Sequence, residues 1–162
     1  MVKIRIGKKE DAEGIWPVEV ENRLYHKSIT PKKYPELNNS SVTENRKKGF
    51  IQYIKKDLDK KGNILIVAEE NKKIVGYGQG YIFRWKWSDN PPKTVNLKEL
   101  AVLKKYRRQG IATKILKEFE KTAKNMGAEF LCATVWINNK SAFKFYRKNK
   151  LDDFSVEEVR RL

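Results

Sequence analysis

The sequence reads Leu97-Lys-Glu-Leu-Ala-Val-Leu103, then Lys104-Lys-Tyr-Arg107, then Arg108-Gln-Gly-Ile-Ala-Thr113, and this stretch decides the fold. Its first part is rich in apolar residues and predicts a buried strand. After Gly110, apolar residues recur at helical spacing, which predicts one buried helix face made of Ile111, Ile115, Phe119, Ala123 and Met126, with Leu116 and Thr122 beside it. A strand that feeds a helix through this basic turn leaves the first amide N–H groups of the helix unpaired. Those donors favour an anion, and the lack of a side chain at Gly110 would let phosphate oxygens reach the backbone.

Further strands are predicted on both sides of this stretch. The segments 64–68 and 74–83 are apolar runs joined by a polar turn around Asn71, which is typical of an antiparallel hairpin. Glycines alternate at Gly76, Gly78 and Gly80, so we expect either close packing against that face or a bulge. Three more strands are predicted at residues 2–6, 129–137 and 153–159. The second of these should lie parallel to the strand at 97–103, because a helix connects them by a right-handed crossover.

Helix boundaries are marked by residues that cap or interrupt a helix. Pro17 should end or kink a helix that begins near Lys9, which can resume over 19–27. Ser41-Val-Thr-Glu44 fits a capping box for the next helix, and Gly62 is expected to end it. Gly127 is expected to cap the C-terminus of the helix that follows Gly110. Asn138 or Asn139 is expected to cap the N-terminus of the last helix.

Composition bounds the class of protein. The chain has 162 residues and is 40% hydrophobic, which suits a single domain, residues 1–162, with its own core. No apolar run approaches the roughly 20 residues of a membrane span. Residues 1–6 alternate like a strand and not like a signal peptide, so a cytoplasmic location is expected. Cys132 is the only cysteine, which excludes an internal disulfide and favours a packing role.

The formal net charge of +16 leaves several classes of partner open. Nucleic acid, an anionic ligand, acidic substrates and plain solubility all remain compatible with it. Arg84-Trp-Lys-Trp87 interleaves basic and aromatic residues, as nucleobase-stacking surfaces do, although ordinary packing of the tryptophans is the favoured interpretation. The sequence contains no G-x-x-x-x-G-K-S/T pattern, so a P-loop nucleotide enzyme is excluded. His26 is the only histidine and is typical of a surface residue, so no metal site or His-based triad is expected.

Two motifs resemble those of the GNAT N-acetyltransferases. Arg107-x-x-Gly110-x-Ala112, directly after a strand that ends Leu100-Ala-Val102, resembles their acetyl-CoA-binding motif. One strand and one helix later, Asn139-Lys-Ser-Ala-Phe-Lys-Phe-Tyr146 resembles their N-x-x-A-x-x-F/L-Y motif. The two occur in the order that the family requires. The resemblance is clear from residue 97 to residue 151, whereas the first half agrees only in its order of elements.

The resemblance implies an α/β (α+β) GNAT fold. Its mixed central sheet would have six to seven strands, with splayed central parallel strands and about four flanking helices. Two features depart from the family pattern. Lys150 and Leu151 stand where Gly and Phe are usual. The tail after Leu151 is short, so a terminal strand is either missing or supplied by a partner chain, as in a homodimer.

The resemblance also implies residue roles. Backbone donors at the corner would hold the diphosphate of acetyl-CoA, and they belong to Arg107, Arg108, Gln109, Gly110, Ile111, Ala112 and Thr113. The pantetheine arm would pair with Leu100, Ala101 and Val102 like an added strand, and Asn139 would hydrogen-bond to it. Tyr146 would be the general acid toward the CoA thiolate. Glu99, the nearest acid on the central strand, is the candidate general base. The alternative for Glu99 is an exposed strand-edge acid without a role.

Three functions follow as alternatives. The favoured one is direct acetyl transfer from acetyl-CoA to a primary amine, with a protein N-terminus or lysine as first choice. The second is acetylation of a small-molecule amine such as a polyamine or an aminoglycoside. The third is a catalytically inactive GNAT-like module that binds nucleic acid through its basic surface. Retention of Gly110, Asn139 and Tyr146 together argues against the third.

Overall fold

A computed structural model describes residues 1–33, 41–86 and 89–155. Five strands form one mixed sheet in the order β1 to β5, and four helices flank it. The strands are β1 (Lys3–Ile6), β2 (Asn63–Glu70), β3 (Lys73–Arg84), β4 (Lys93–Val102) and β5 (Phe130–Cys132). The helices are α1 (Ala12–Ile29), α2 (Glu44–Asp57), α3 (Ile111–Asn125) and α4 (Lys140–Lys148). Neighbouring strands from β1 to β4 are antiparallel, whereas β4 and β5 are parallel as predicted.

Two apolar layers cover the two faces of the sheet. The predicted face of α3, with Leu116 beside it, packs on one side, and the fully buried residues are Ile111, Ile115, Leu116, Phe119 and Ala123. Helices α1 and α2 cover part of the other side through Ala12, Ile15, Val18, Phe50 and Ile54. Both cores bury β2 and β3 between them, which explains why these strands are continuous apolar runs.

The alternating glycines of β3 bring α3 close to the sheet. A Cβ atom at Gly80 would lie 1.9 Å from the carbonyl oxygen of Asn96 and 2.8 Å from the ring of Phe119. A Cβ at Gly78 would lie 2.8 Å from Ile115. The prediction of close packing on this face is therefore confirmed.

A β-bulge at Lys98 decides which way the central strand points its side chains. Gln79 pairs with Glu99 and Gly80 pairs with Leu97, so Lys98 is the extra residue. Leu97 and Leu100 consequently both face α3, whereas Glu99 faces the α1 side. Glu99 therefore lies on the opposite face of the strand from Leu100, with its carboxylate toward α1.

The two parallel strands separate after a short contact. Their register is limited to Thr94–Phe130, Val95–Leu131 and Asn96–Cys132. Strand β4 continues to Val102, while β5 ends at Cys132. The C-terminal half of β4 therefore has an open edge, which is the splaying that the resemblance implies.

The sheet differs from the sequence prediction in size. The described residues contain five strands, so the expected six to seven are not supported. β5 is three residues long and does not extend over 129–137, because the chain leaves β4 where the strands splay. Residues 153–155 of the predicted last strand are not in a strand, and the remainder of it lies outside the described residues. The prediction that residues 1–162 form one domain also extends beyond them and stays a prediction.

Several helix ends also differ from expectation. Thr43, not Ser41, caps α2 by accepting a hydrogen bond from the amide of Arg46. That helix ends at Asp57, before Gly62. Helix α1 continues through Pro17. The predicted cap of α4 by Asn139 is confirmed. The predicted cap of α3 is also confirmed, since Gly127 follows the end of that helix with a positive φ of 82°.

Candidate active site

The corner between β4 and α3 presents a row of unpaired backbone donors. Arg108 and Gly110 adopt left-handed φ angles of 65° and 75°. Within the part of the chain that the structure describes, no protein acceptor lies within hydrogen-bond distance of the amides from Arg108 to Thr113. Alternating backbone handedness of this kind turns successive N–H groups inward and makes a concave anion site at the positive end of the helix.

The space in front of these donors is open. No described atom lies within 4 Å of a Cβ built at Gly110, so the corner is not filled by side chains. Arg107 turns back onto the protein, where its Nε donates to the carbonyl oxygen of Val102 at 2.9 Å. Glu21 of α1 accepts from the amide of Lys104 at 2.6 Å and lies 3.9 Å from the Arg107 guanidinium. These contacts fix the corner relative to β4 and α1.

The open edge of β4 carries unpaired main-chain groups. The amide of Leu103 donates to Val75 of β3 at 2.9 Å. Because backbone groups alternate in direction along a strand, Ala101 also faces β3, whereas Leu100 and Val102 face the slot next to β5. Of the three β4 residues implicated by the sequence, Leu100 and Val102 therefore turn their amides toward the slot, while the Val102 carbonyl on that edge accepts from Arg107.

Asn139 lies at the start of α4 with 8% of its surface exposed. Its Oδ1 accepts from the amide of Ala142 at 3.1 Å, from Ser141 Oγ at 2.9 Å and from the Tyr25 hydroxyl at 3.2 Å. The acceptor oxygen is therefore occupied by the protein. Tyr25 is a contact that sequence reasoning missed, since 114 residues separate it from Asn139.

Glu99 and Tyr146 are both half-buried, and their charges interact. Burial first, and then the neighbouring carboxylate of Glu19, raise the pKa of Glu99 to about 7. Burial first, and then Glu99, raise the pKa of Tyr146 to about 12. The interpretation of Glu99 as an exposed edge acid is therefore wrong. The site combines a carboxyl that titrates near neutrality with a phenol that keeps its proton.

The structure adds two α1 residues to the site. Asn22 Nδ2 donates to Glu99 Oε2 at 3.1 Å and to Glu19 Oε2 at 3.3 Å. Glu19 is 4% exposed and accepts from the buried Tyr77 hydroxyl at 2.7 Å. Two polar residues three apart on a helix are also typical of a solvated face, so no sequence signal distinguishes them.

His26 is not the free surface residue that the sequence predicts. Its ring packs edge-on against Tyr25 and Trp136, each at 6.1 Å between ring centroids. Burial lowers the pKa of its imidazole, partly offset by Glu19. Among the described residues, no group of three His, Cys, Asp or Glu side chains could hold a metal ion. Nor does any helix in the described ranges combine the length and apolar character that a bilayer crossing demands.

Comparison with known proteins decides the family. The model of the acetyltransferase (GNAT) family matches residues 26–150, which is more than half of the chain. The chain belongs to the GNAT family. The match spans both motifs identified from the sequence, and GNAT enzymes use acetyl-CoA.

Two curated relatives each resemble a little more than half of this chain. One is thialysine N-epsilon-acetyltransferase of Mus musculus, 33% identical over 85 residues, or 52% of this chain and 48% of the relative. The other is an N-terminal acetyltransferase complex ARD1 subunit homolog of Dictyostelium discoideum, 35% identical over 95 residues, or 56% and 45%. The chain thus aligns with about half the length of each.

A solved structure places the whole chain in the GNAT fold. The aminoglycoside N-acetyltransferase AAC(6′)-Iy in complex with CoA has a TM-score of 0.72 over 100% of this chain and 95% of its own. Its sequence identity is 16%, so this likeness concerns the fold alone. The five strands and four helices described above are thus a GNAT arrangement with fewer strands than the sequence predicted.

Proposed function

We propose that this GNAT chain transfers an acetyl group from acetyl-CoA directly to a primary amine. The observation that carries the proposal is the run of unpaired amides from Arg108 to Thr113, which faces open space beside the open edge of β4. This arrangement suits a ligand with a diphosphate at one end and a peptide-like arm behind it.

The residues at the corner and slot fit acetyl-CoA. Backbone donors from Arg108 to Thr113 would hold the diphosphate, with the exposed Arg108 side chain as a screening charge. Main-chain groups of Leu100 and Val102 would pair with the pantetheine arm. The Arg107 amide already donates to Lys104 at 3.2 Å, so it would not be one of the diphosphate donors. Its guanidinium, bonded through Nε to Val102, would organise the corner. For Asn139, which is already an acceptor for Ala142, a contact to the arm would have to use the amide nitrogen.

Three protein groups would perform the chemistry. When bound, acetyl-CoA supplies the activated acetyl group. Glu99, with a pKa of about 7, would take a proton from the acceptor ammonium, directly or through water. The N–H of Val102 would stabilise charge on the carbonyl oxygen, a role typically worth about 3 kcal/mol. Tyr146, still protonated at neutral pH, would donate its proton to the departing thiolate.

The acceptor that we favour is a protein or peptide amine, at an N-terminus or a lysine. One curated relative supports this choice, since its name specifies an N-terminal acetyltransferase complex. The other is named for thialysine, a lysine analogue that is itself a small-molecule amine. Small-molecule amines are the competing acceptors. A cytoplasmic location and a homodimer stay predictions.

The aromatic contacts around Trp85 disfavour a nucleic-acid-binding function. Its ring packs edge-on against Phe83 at 4.8 Å and approaches Phe154 at 6.1 Å. The ring is therefore engaged in packing, as the favoured interpretation of Arg84-Trp-Lys-Trp87 expects, while Trp87 lies outside the described residues.

Titration calorimetry and an acceptor screen test the proposal together. We expect acetyl-CoA to bind, and its consumption to depend on peptides with a free N-terminus or lysine in a panel that includes polyamines and aminoglycosides. Binding of a duplex DNA or RNA is measured at roughly 50 and 200 mM salt, where nucleic-acid affinity should fall steeply. A protein that binds nucleic acid at both salt concentrations but not acetyl-CoA would overturn the proposal.

A further inference from the structure

Two carboxylates meet at the α1 side of the slot and differ in how they are held. The Glu19 carboxylate is used on both oxygens, because Oε1 forms an ion pair with Arg23 at 2.7 Å and Oε2 accepts hydrogen bonds from Tyr77 and Asn22. The Glu99 carboxylate is bonded through Oε2 alone in the described part of the chain, and its donor is the same Asn22 amide.

The second oxygen of Glu99 is not engaged by the residues that the structure describes. Among them, Oε1 accepts no hydrogen bond, and Glu99 is half-buried and not fully enclosed. A carboxylate with one oxygen anchored and the other open has a fixed orientation and a free site for a proton donor. Glu19, with its oxygens occupied and 4% exposure, offers no such site.

We propose that Glu19 is a positioning residue for Glu99. It holds Asn22 so that this amide anchors Glu99 Oε2, and its buried negative charge raises the proton affinity of Glu99. Glu99 Oε1 is thereby aimed at the acceptor amine with a basicity suited to neutral pH. This inference rests on the proposed function, in which Glu99 is the general base.

The charges around Glu99 come from every element that packs against it. Glu19 and Arg23 face it from α1, and Lys98 precedes it on β4, where it donates to the Tyr53 hydroxyl of α2 at 2.9 Å. Two further titratable groups, Tyr77 of β3 and Tyr146 of α4, interact with its charge. Beyond burial, Glu19 raises the pKa of Glu99, whereas the Asn22 hydrogen bond, Lys98 and Arg23 lower it.

Two variants should therefore move the pKa of Glu99 in opposite directions. Glu19→Gln removes the like charge, so Glu99 should lose its proton at lower pH, by roughly half a unit or more. Asn22→Ala removes a hydrogen bond that favours the carboxylate, so Glu99 should titrate at higher pH. Glu13→Gln, an exposed position on α1, makes the same charge change away from the site and is the matched control.

The experiment is an NMR titration of the labelled Glu99 carboxyl in the free protein, alongside the pH dependence of kcat/KM. We expect the acidic limb of the rate profile to follow the NMR pKa in each variant, while Glu13→Gln matches the wild type. A merely structural role for Glu19 would slow the enzyme without moving either curve, and that result would overturn the inference.

The two readouts separate this inference from the proposed function. An NMR pKa that moves in opposite directions in Glu19→Gln and Asn22→Ala supports the role of Glu19, whatever the rate profile does. A rate profile that ignores a shifted NMR pKa would instead remove Glu99 from the mechanism. If Glu19→Gln does not fold, Asn22→Ala alone still tests the bridge, and an unmoved Glu99 pKa in that variant counts against it.

Discussion

Glu99 and Tyr146 differ in protonation at neutral pH because burial raises the pKa of each from a different ordinary value, 4.5 for the carboxyl and 10.0 for the phenol. Burial disfavours the charged form of both groups and raises both pKa values. For the carboxyl, the result is about 7, where base and acid forms coexist. For the phenol, the result is about 12, where only the acid form exists at neutral pH. One environment thus produces a candidate base and a candidate acid.

Tyr146→Phe tests the proposed acid. The substitution removes one hydroxyl and leaves the ring that packs 5.2 Å from Phe145, so the fold should persist. We expect kcat to fall by roughly 100-fold or more, with little change in the affinity for acetyl-CoA. Tyr81→Phe, which removes a hydroxyl on the exposed part of β3, is the control and should be as active as the wild type. Unchanged turnover in Tyr146→Phe would exclude this residue from proton transfer.

Gly110→Asp tests the corner. The new carboxylate would enter the open space in front of the amides and repel a diphosphate, so acetyl-CoA affinity should fall by roughly 100-fold or more. Its φ of 75° makes any side chain cost about 1 kcal/mol of stability. Gly127→Asp, with a φ of 82° at the other end of α3, has the same charge and a similar backbone cost. Calorimetry should show loss of binding only in the first variant, and equal affinities would disprove the site.

At the scale of elements, the contact between α3 and the glycines of β3 sets the position of the corner. Ile115 and Phe119 of α3 lie against Gly78 and Gly80, so the helix packs directly on the strand backbone. A larger residue in β3 would push α3 away from the sheet. The N-terminus of α3 would move with it, and so would the donors beside Gly110.

Gly80→Ala should therefore destabilise the protein by more than about 2 kcal/mol, because its Cβ would overlap the Asn96 carbonyl. The matched control is Gly49→Ala in α2, where no described atom lies within 4 Å of the new Cβ. That change should stabilise the protein by about 0.5–1 kcal/mol through helix propensity. Urea unfolding measures both. A neutral Gly80→Ala would contradict the close packing of α3.

Local patterns predicted the elements, whereas contacts between distant segments could not be predicted. The face of α3 from Ile111 to Ala123 follows from helical spacing, and the hairpin around Asn71 follows from its turn residues. The bulge at Lys98 and the early end of β5 depend on how neighbouring strands pair. The exact cap of α2 could not be predicted either. Ser41 and Thr43 both carry a hydroxyl within three residues of Glu44, and the structure uses Thr43.

The candidate site also combines residues that the sequence predicts with residues that it does not. Gly110, Asn139 and Tyr146 were predicted because each belongs to a short motif of residues that are close in sequence. The Glu19–Asn22 pair meets Tyr77 and Glu99 across 58 and 77 residues, and no local pattern encodes such a meeting. A resemblance to a family supplies candidate reacting groups but not the residues that set their pKa values.

For the whole molecule, the raised pKa of Glu99 has a cost in stability. The folded protein releases this proton near pH 7, whereas an unfolded chain releases it near the ordinary value of 4.5. The ionised carboxylate is therefore disfavoured by folding. Below about pH 4.5 the group is protonated in both states and costs nothing. As the pH rises from there to about 7 the cost grows, and above 7 it is complete, at about 3 kcal/mol.

Glu99→Gln should remove this cost while abolishing activity. The neutral amide keeps an oxygen for the Asn22 donor, so we expect the variant to be more stable than the wild type by about 3 kcal/mol at pH 8. The difference should vanish near pH 4.5, because other titrating groups are common to both proteins and cancel. Urea unfolding across this range measures the difference. The burial and the neighbouring negative charge that would make Glu99 an effective base are also what destabilise the folded protein. Equal stabilities at pH 8 would therefore mean that Glu99 does not lie in the environment that the proposed mechanism needs.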